Sequence, residues 1–302
     1  MSSGAKVVSA IAAQTNKNTI PTTGWKILPV VSNGLTVSAS LTESETIADS
    51  RIAKSGMVTG GEISGDIETE LMFGVYDDLL AAAFWSDWVA GTPSTLQIGS
   101  TKKQFAITKD FTDINVNHVF KDCVVNSFSL EVDAESLVKT KFGIMGLGYE
   151  ASETASFAKS PTAIPDGKKA SGLSIGTIKV DGVQIGVCVE AFKFELDNQA
   201  EVQKCLGDNI YGGNILAMLA NASGSLTLAY SQAAHNIVKE QLTGRTFSLE
   251  VPIQFDAKKY VIKIPKMQVS GEIPSPSGKD LATVDVNFNV VDESPVIERH
   301  GA

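Results

Sequence analysis

The chain has 302 residues, 43% hydrophobic and 20% charged, the make-up of a folded protein with room for about two ordinary domains. Its net charge of −9 excludes the basic footprint by which proteins grip a phosphate backbone. No apolar run approaches the roughly 18 residues of a membrane span, and the N-terminus lacks the apolar core of a secretory signal, so the chain is expected to fold in the cytoplasm.

Residues 1–34 mix small and polar types with Pro21, Gly24, Pro29 and Gly34, which reads as an N-terminal extended arm or loosely paired strand. Alternation begins at Leu35, with Leu35, Val37, Ala39 and Leu41 on one face of a half-buried strand. Residues 43–61 fit neither the helical nor the strand period. A loop of that length inside a compact domain usually carries function, so it is read as a functional arm.

A strand follows at 65–71 (GDIETEL), with Ile67, Thr69 and Leu71 on one side and Asp66, Glu68 and Glu70 on the other. Tyr76-Asp77-Asp78 opens a short helix whose stripe is Leu79, Leu80, Ala83 and Phe84, the carboxylates suiting a helix N-terminus. Trp85 and Trp88 close it and read as core or subunit-contact residues. Strands are then expected around Phe105–Phe111, Val124 to Val132, and Val138 to Met145.

From 149 to 176 the composition shifts to Ser, Ala, Pro, Gly and Lys, which reads as a linker. Beyond it, Asp181-Gly182 between Ile178, Val180, Val183 and Ile185 is a hairpin signal. The order of elements then repeats. The segments 38–44, 65–71, 76–84, 103–111 and 127–146 find counterparts at 193–199, 224–230, 232–242, 245–255 and 266–291. An insertion at 197–223 takes the place of the 43–61 arm. The charged C-terminal tail from 293 to 302 is expected to be mobile.

Catalytic and ligand-binding signatures are missing from the sequence. His118, His235 and His300 show no metal-ligand spacing, and no nucleophile elbow, phosphate loop or dinucleotide fingerprint occurs. Asp66, Glu68 and Glu70 alternate on one strand face, which describes a solvated surface better than a glycosidase pair. Cys123, Cys188 and Cys205 lack paired spacing and are expected to be buried thiols. The protein is therefore read as a non-enzyme without catalytic residues, metal or cofactor.

The series GDIETEL, YDDLL, 98–111, VNSFSLEV and KFGIMG (65–71, 76–80, 98–111, 125–132 and 141–146) resembles the major tail tube proteins of long-tailed bacteriophages, specifically the kind with a duplicated domain. The likeness is strongest over 35–148 and reaches 177–291 through the repeat. It implies a mainly β fold of two tandem tail-tube-type sandwich or barrel domains, 35–148 and 177–292, each with a short flanking helix and long extended loops.

It further implies a virion structural protein, made in the host cytoplasm, whose homotrimeric pseudo-hexameric rings stack into a helical, non-contractile tail tube for DNA ejection. The implied partners are other copies, a tape measure in the lumen, a terminator and a distal tail protein. DNA would pass without specific binding, and no membrane insertion is expected. On this reading Asp66, Glu68 and Glu70 are lumen candidates, and Ile47, Ile52, Met57, Ile210, Ile215 and Leu219 are candidate contacts between rings. The alternatives are a non-polymerising tail ring protein, such as a terminator or baseplate component, and a carbohydrate-binding β-sandwich adhesin.

Overall fold

The computed structural model describes residues 2–47, 52, 54–163, 167–275 and 281–301. In the N-terminal half the strands are β1 (Val7–Ala13), β2 (Lys26–Ile27), β3 (Ser32–Asn33), β4 (Thr36–Ser44), β5 (Lys54–Glu70), β6 (Ser94–Gln97), β7 (Phe105–Phe111), β8 (Val116–Asp133), β9 (Lys139–Gly146) and β10 (Gly148–Ser152). Helix α1 (Asp77–Ala83) lies between β5 and β6. The C-terminal half contains β11 (Lys179–Val180), β12 (Val183–Gln184), β13 (Val189–Asp197), β14 (Glu201–Gln203), β15 (Asn214–Leu216), β16 (Asn221–Ala229), β17 (Thr246–Phe255), β18 (Lys258–Gly271), β19 (Thr283–Val290) and β20 (Val296–His300). Helix α2 (Gln232–Lys239) follows β16.

Two layers recur. In the first half β4-β5-β9-β8 form an antiparallel layer, faced by β2-β1-β7-β8-β10, with the long β8 bending from one to the other. In the second half the corresponding layers are β13-β16-β19-β18 and β12-β11-β17-β18-β20. Alternation supplies the cores between them. Phe128, Leu130, Phe142 and Ile144 point inward in one, and Phe194, Leu226, Val286 and Phe288 in the other. A single apolar cluster contains both sets.

The register of the repeat follows from burial. Ile63, Ile67 and Thr69 of β5 match Ala222, Leu226 and Leu228 of β16, which equates Gly65 with Gly224. Both glycines are required by close approach. A Cβ on Gly65 would lie 2.3 Å from the Gly34 carbonyl oxygen, and one on Gly224 would lie 2.1 Å from that of Lys193. The ladders then equate Gly34 with Lys193 and Leu35 with Phe194. This differs by four residues from the sequence alignment, which set Ser38 against Lys193. A shift by an even number leaves every side chain on the same face, so alternation alone does not detect it.

Other expectations are corrected. Of the two readings of 1–34, the extended arm gives way to the paired strand: β1 pairs along its whole length with β7, and Trp25 and Leu28 are buried. The linker is attached to the first half, since β10 pairs with β8 and Thr162 bridges to Lys26. The tail is a strand, β20, held between β18 and β6, because Ile297 is buried and its neighbours supply paired charges. Only Cys123 is buried, and that burial pushes its thiol pKa up; Cys188 and Cys205 are exposed on loops. An apolar sequence neighbour in a β segment says little about a residue that sits in a turn.

Gly224→Ala should therefore destabilise the protein by about 1–3 kcal/mol, the usual cost of overpacking. Urea unfolding monitored by circular dichroism would show the lowered midpoint. An unchanged midpoint would contradict the close approach.

Candidate assembly surfaces

The two halves join edge to edge. Residues 127–133 of β8 pair with 191–197 of β13 without a bulge, so β4-β5-β9-β8-β13-β16-β19-β18 is one uninterrupted layer. Backbone bonds from Ala134 N–H to the Glu190 carbonyl (3.0 Å) and from Asn198 N–H to the Asn126 carbonyl (2.9 Å) bracket this ladder. They fix Phe128–Leu196, Leu130–Phe194 and Val132–Phe192 as its hydrogen-bonded pairs.

One face of this layer is buried and the other polar. From Glu62 of β5 through β9, β8, β13, β16 and β19 the polar face carries Glu62, Asp66, Glu68, Glu70, Glu131, Asp133, Glu195, Asp197 and Asp285 against Lys139, Lys141 and Lys193: nine carboxylates to three ammonium groups, a net −6. The structure thus brings Asp66, Glu68 and Glu70 together on that face. Asp66 pairs with Lys141 at 2.8 Å, Glu68 accepts from the Ser32 hydroxyl at 3.1 Å, and Glu70 binds Lys169. Lys193 bridges Glu195 (2.7 Å) and Glu131 (3.2 Å) across the junction of the halves. Hydrogen bonding to Asp66 raises the pKa of Lys141, and bonding to Glu195 and Glu131 raises that of Lys193, so both lysines remain charged. The counterparts of the three N-terminal carboxylates, Ser225, Thr227 and Ala229, are uncharged.

Two excursions leave this layer at equivalent places. The first is the β4–β5 hairpin, which extends from the body with Leu41 (71%), Ile47 (99%), Ile52 (81%) and Met57 (76%) exposed. Residues 48–51 and 53 of the anticipated 43–61 arm lie outside the described residues. Most of the described part of that arm is strand, because β5 begins at Lys54 and Met57, Val58, Gly60 and Gly61 pair with β4.

The second excursion, 197–223, folds back over the first half. Its β14–β15 ladder is tethered where Lys102 Nζ donates to Asn214 Oδ1 (2.6 Å) and where Gly61 N–H donates to the Ile210 carbonyl (2.8 Å). Ile215, expected as an anchor for another ring, is buried at 1% among Trp85, Val124, Leu147 and Ala200 of its own chain. That expectation is corrected: hydrophobicity marks a residue for burial but not the chain that buries it. Ile210 is part-exposed and Leu219 fully exposed.

A second junction, missed in the sequence, lies on the other layer. Tyr260 O–H donates to Asp77 Oδ1 (2.5 Å) and accepts from Gly74 N–H (2.8 Å), while Arg299 binds the other Asp77 oxygen and covers the Trp88 ring. Burial, with the Asp77 charge, pushes the Tyr260 hydroxyl pKa up, keeping it a donor. Asp77 thus joins the start of α1 to β18 and β20. In the sequence it offered only a helix-start signal.

Among the described residues no cluster of His, Cys, Asp and Glu has metal-binding geometry, and no helix is long and apolar enough to cross a membrane. The surface is one of edges, faces and protrusions. A family model described as phage tail tube protein matches residues 4–290, so the chain belongs to that family and is a structural component of a phage tail. None of the curated proteins matches the chain.

Tyr260→Phe should cost about 1.5–3 kcal/mol, because it removes a bond to a charged acceptor and leaves the Gly74 N–H unpaired. Lys193→Ala, on the exposed face, should cost no more than about 1 kcal/mol. Thermal denaturation of the two variants side by side would test this ranking, which a larger loss in Lys193→Ala would reverse.

Proposed function

We propose that three copies of this chain close into a ring of six pseudo-equivalent sandwiches, and that such rings stack into the hollow tube of a flexible, non-contractile tail. Division into 35–148 and 177–292 as two equivalent domains is part of this reading. The observation that carries it is the β8–β13 ladder: a first-half layer already continues into a second-half layer by ordinary strand pairing. A layer that joins its successor on one edge presents the complementary edges at its two ends, which is the requirement for a closed head-to-tail ring. Closure also covers strand edges that would otherwise invite uncontrolled pairing.

The polar face lines the lumen. Its excess of carboxylates repels duplex phosphates within a Debye length of about 8 Å and offers little cationic anchorage. DNA passes through without being held. With a net charge of −9 per chain, three chains bring −27 to each ring. The β4–β5 hairpin, with Ile47, Ile52 and Met57, contacts the next ring, as do Ile210 and Leu219 from the second excursion. The tape measure occupies the lumen before DNA does, and terminator and distal tail proteins cap the ends. Synthesis takes place in the host cytoplasm. Burial of Trp25 and Trp85 disfavours the adhesin alternative, which needs exposed aromatic platforms.

Negative-stain microscopy of concentrated protein should show hollow filaments with threefold end views that approach sixfold. Deleting residues 45–59 should leave a folded subunit that forms no filaments. Single rings that never stack would support a terminator or baseplate role instead, and filaments of normal length from the deletion variant would remove the hairpin from the inter-ring contact.

A further inference from the structure

Resting on the ring reading above, we infer that the seam between subunits is a specific antiparallel pairing of Asn33 to Ser38 in one copy with Ser270 to Ser275 in the next. The register copies the β8–β13 ladder inside each chain. Ladder positions on β9 and β19 place Phe142 opposite Phe128 and Val286 opposite Gly271. Since Phe142 and Val286 occupy equivalent sites beside Ile67 and Leu226, Gly271 stands where Phe128 stands, and Ile273 where Leu130 stands. On the other edge Leu35 stands at Phe194 and Val37 at Leu196. Pairing therefore sets Gly271 against Val37, Ile273 against Leu35 and Ser275 against Asn33, with Glu272 beside Thr36.

Three independent features of the free subunit fit this seam. The Val291 N–H to Lys266 carbonyl bond directs even-numbered β18 residues toward β19, so the peptide groups of Gly271 face outward. Likewise the Gly34 N–H to Asp66 carbonyl bond directs even-numbered residues of the other edge toward β5, leaving those of Leu35 facing outward. Both outward sites are occupied by side chains. Gln241 donates to the Gly271 carbonyl (3.0 Å) and accepts from its N–H (3.2 Å). Asn33 accepts from the Leu35 N–H (3.1 Å) and Lys109 donates to the Leu35 carbonyl (3.3 Å). These side chains stand in for a strand and are exchanged for one when the ring closes.

Proline supplies the second feature. Pro274 occupies the place of Glu131, whose own peptide faces away from β13, so its missing N–H costs the seam nothing. It does end pairing on the opposite side, where the β18–β19 ladder stops at Gly271. The third is Ile273, 69% exposed in the subunit although its counterpart Leu130 is 3% exposed. The seam buries it against Leu35. Residues 272–275, outside any strand in the subunit, become one on assembly.

Engineered disulfides test the register. In a background with the exposed Cys188 and Cys205 changed to Ser, two pairs, Thr36→Cys with Glu272→Cys and Ser38→Cys with Ser270→Cys, place opposed residues in non-hydrogen-bonded positions. Their Cα atoms then lie about 4.5 Å apart, within disulfide range. Within one chain the two edges are seven strands apart, on the order of 30 Å, so only intermolecular bonds form. Oxidised assemblies of either pair should run as covalent trimers on denaturing gels. Ser40→Cys with Glu272→Cys, displaced by about 14 Å along the strand, should not. Rings or tubes seen by microscopy without cross-linking of either matched pair, or with equal cross-linking of the displaced pair, would overturn the register while leaving the ring intact. Absence of any ring from the unmodified chain would overturn the ring reading and the seam with it.

Discussion

The structure depends on one strand pairing across a pseudo-repeat. Seven consecutive residues of β8 meet seven of β13 without a bulge, and every alternate side chain on the inner face, Phe128, Leu130 and Val132 against Leu196, Phe194 and Phe192, is buried. The backbone bonds of this ladder are ordinary. What makes it decisive is that it welds two layers of the same strand order into one surface, so that both cores become a single apolar cluster and the charged residues of the layer fall on the other side. A one-residue slip would exchange those faces along the whole layer, which is why the register is so strongly specified.

The two halves are equivalent in that layer and deliberately unequal in the other. β20 takes the place that β10 holds in the first half, but its other edge pairs with β6, giving the C-terminus a contact with the N-terminal half. The Asp77, Tyr260 and Arg299 cluster sits at that contact. Its helix-start counterpart in α2 is Gln232, following the Ser231 N-cap, so no similar cluster is encoded at the other end. The junction within a chain is thus fastened on both layers. On the ring reading, a junction between chains has only the polar-faced layer and the excursions to rely on.

Much of this was legible in the sequence because alternation is an unambiguous signal where one face is buried. Ile67, Thr69 and Leu71 against Asp66, Glu68 and Glu70 identified both the strand and its polar face, and the structure keeps them so. Position along the strand was less legible, since a four-residue offset of the repeat preserves every inward residue. Short strands were lost for a different reason: β2, β3 and β20 have two to five residues, too few to establish a period, and owe their conformation to partners far away in sequence. Ile215 and Ile210 have the same side chain five positions apart. Only the fold reveals that one lies under Trp85 while the other remains part-exposed.

On the ring reading, the polar face solves the problem of passing a polyanion in two chemically distinct ways. The first half does it with charge: carboxylates predominate, Lys141 is already engaged by Asp66, and Lys193, across the junction in the second half, by Glu131 and Glu195, so their positive ends are turned toward protein oxygens before any phosphate approaches. The second half relies more on neutral groups: beside Glu195, Asp197 and Asp285 it presents Ser223, Ser225, Thr227, Asn287 and Asn289. These groups exchange hydrogen bonds with water as readily as with phosphate and provide little net attraction. Around a ring of three chains the two kinds of surface alternate. Neither contains a cluster of available cations at the spacing of a DNA backbone, and that shared property, more than any single residue, is what a conduit requires.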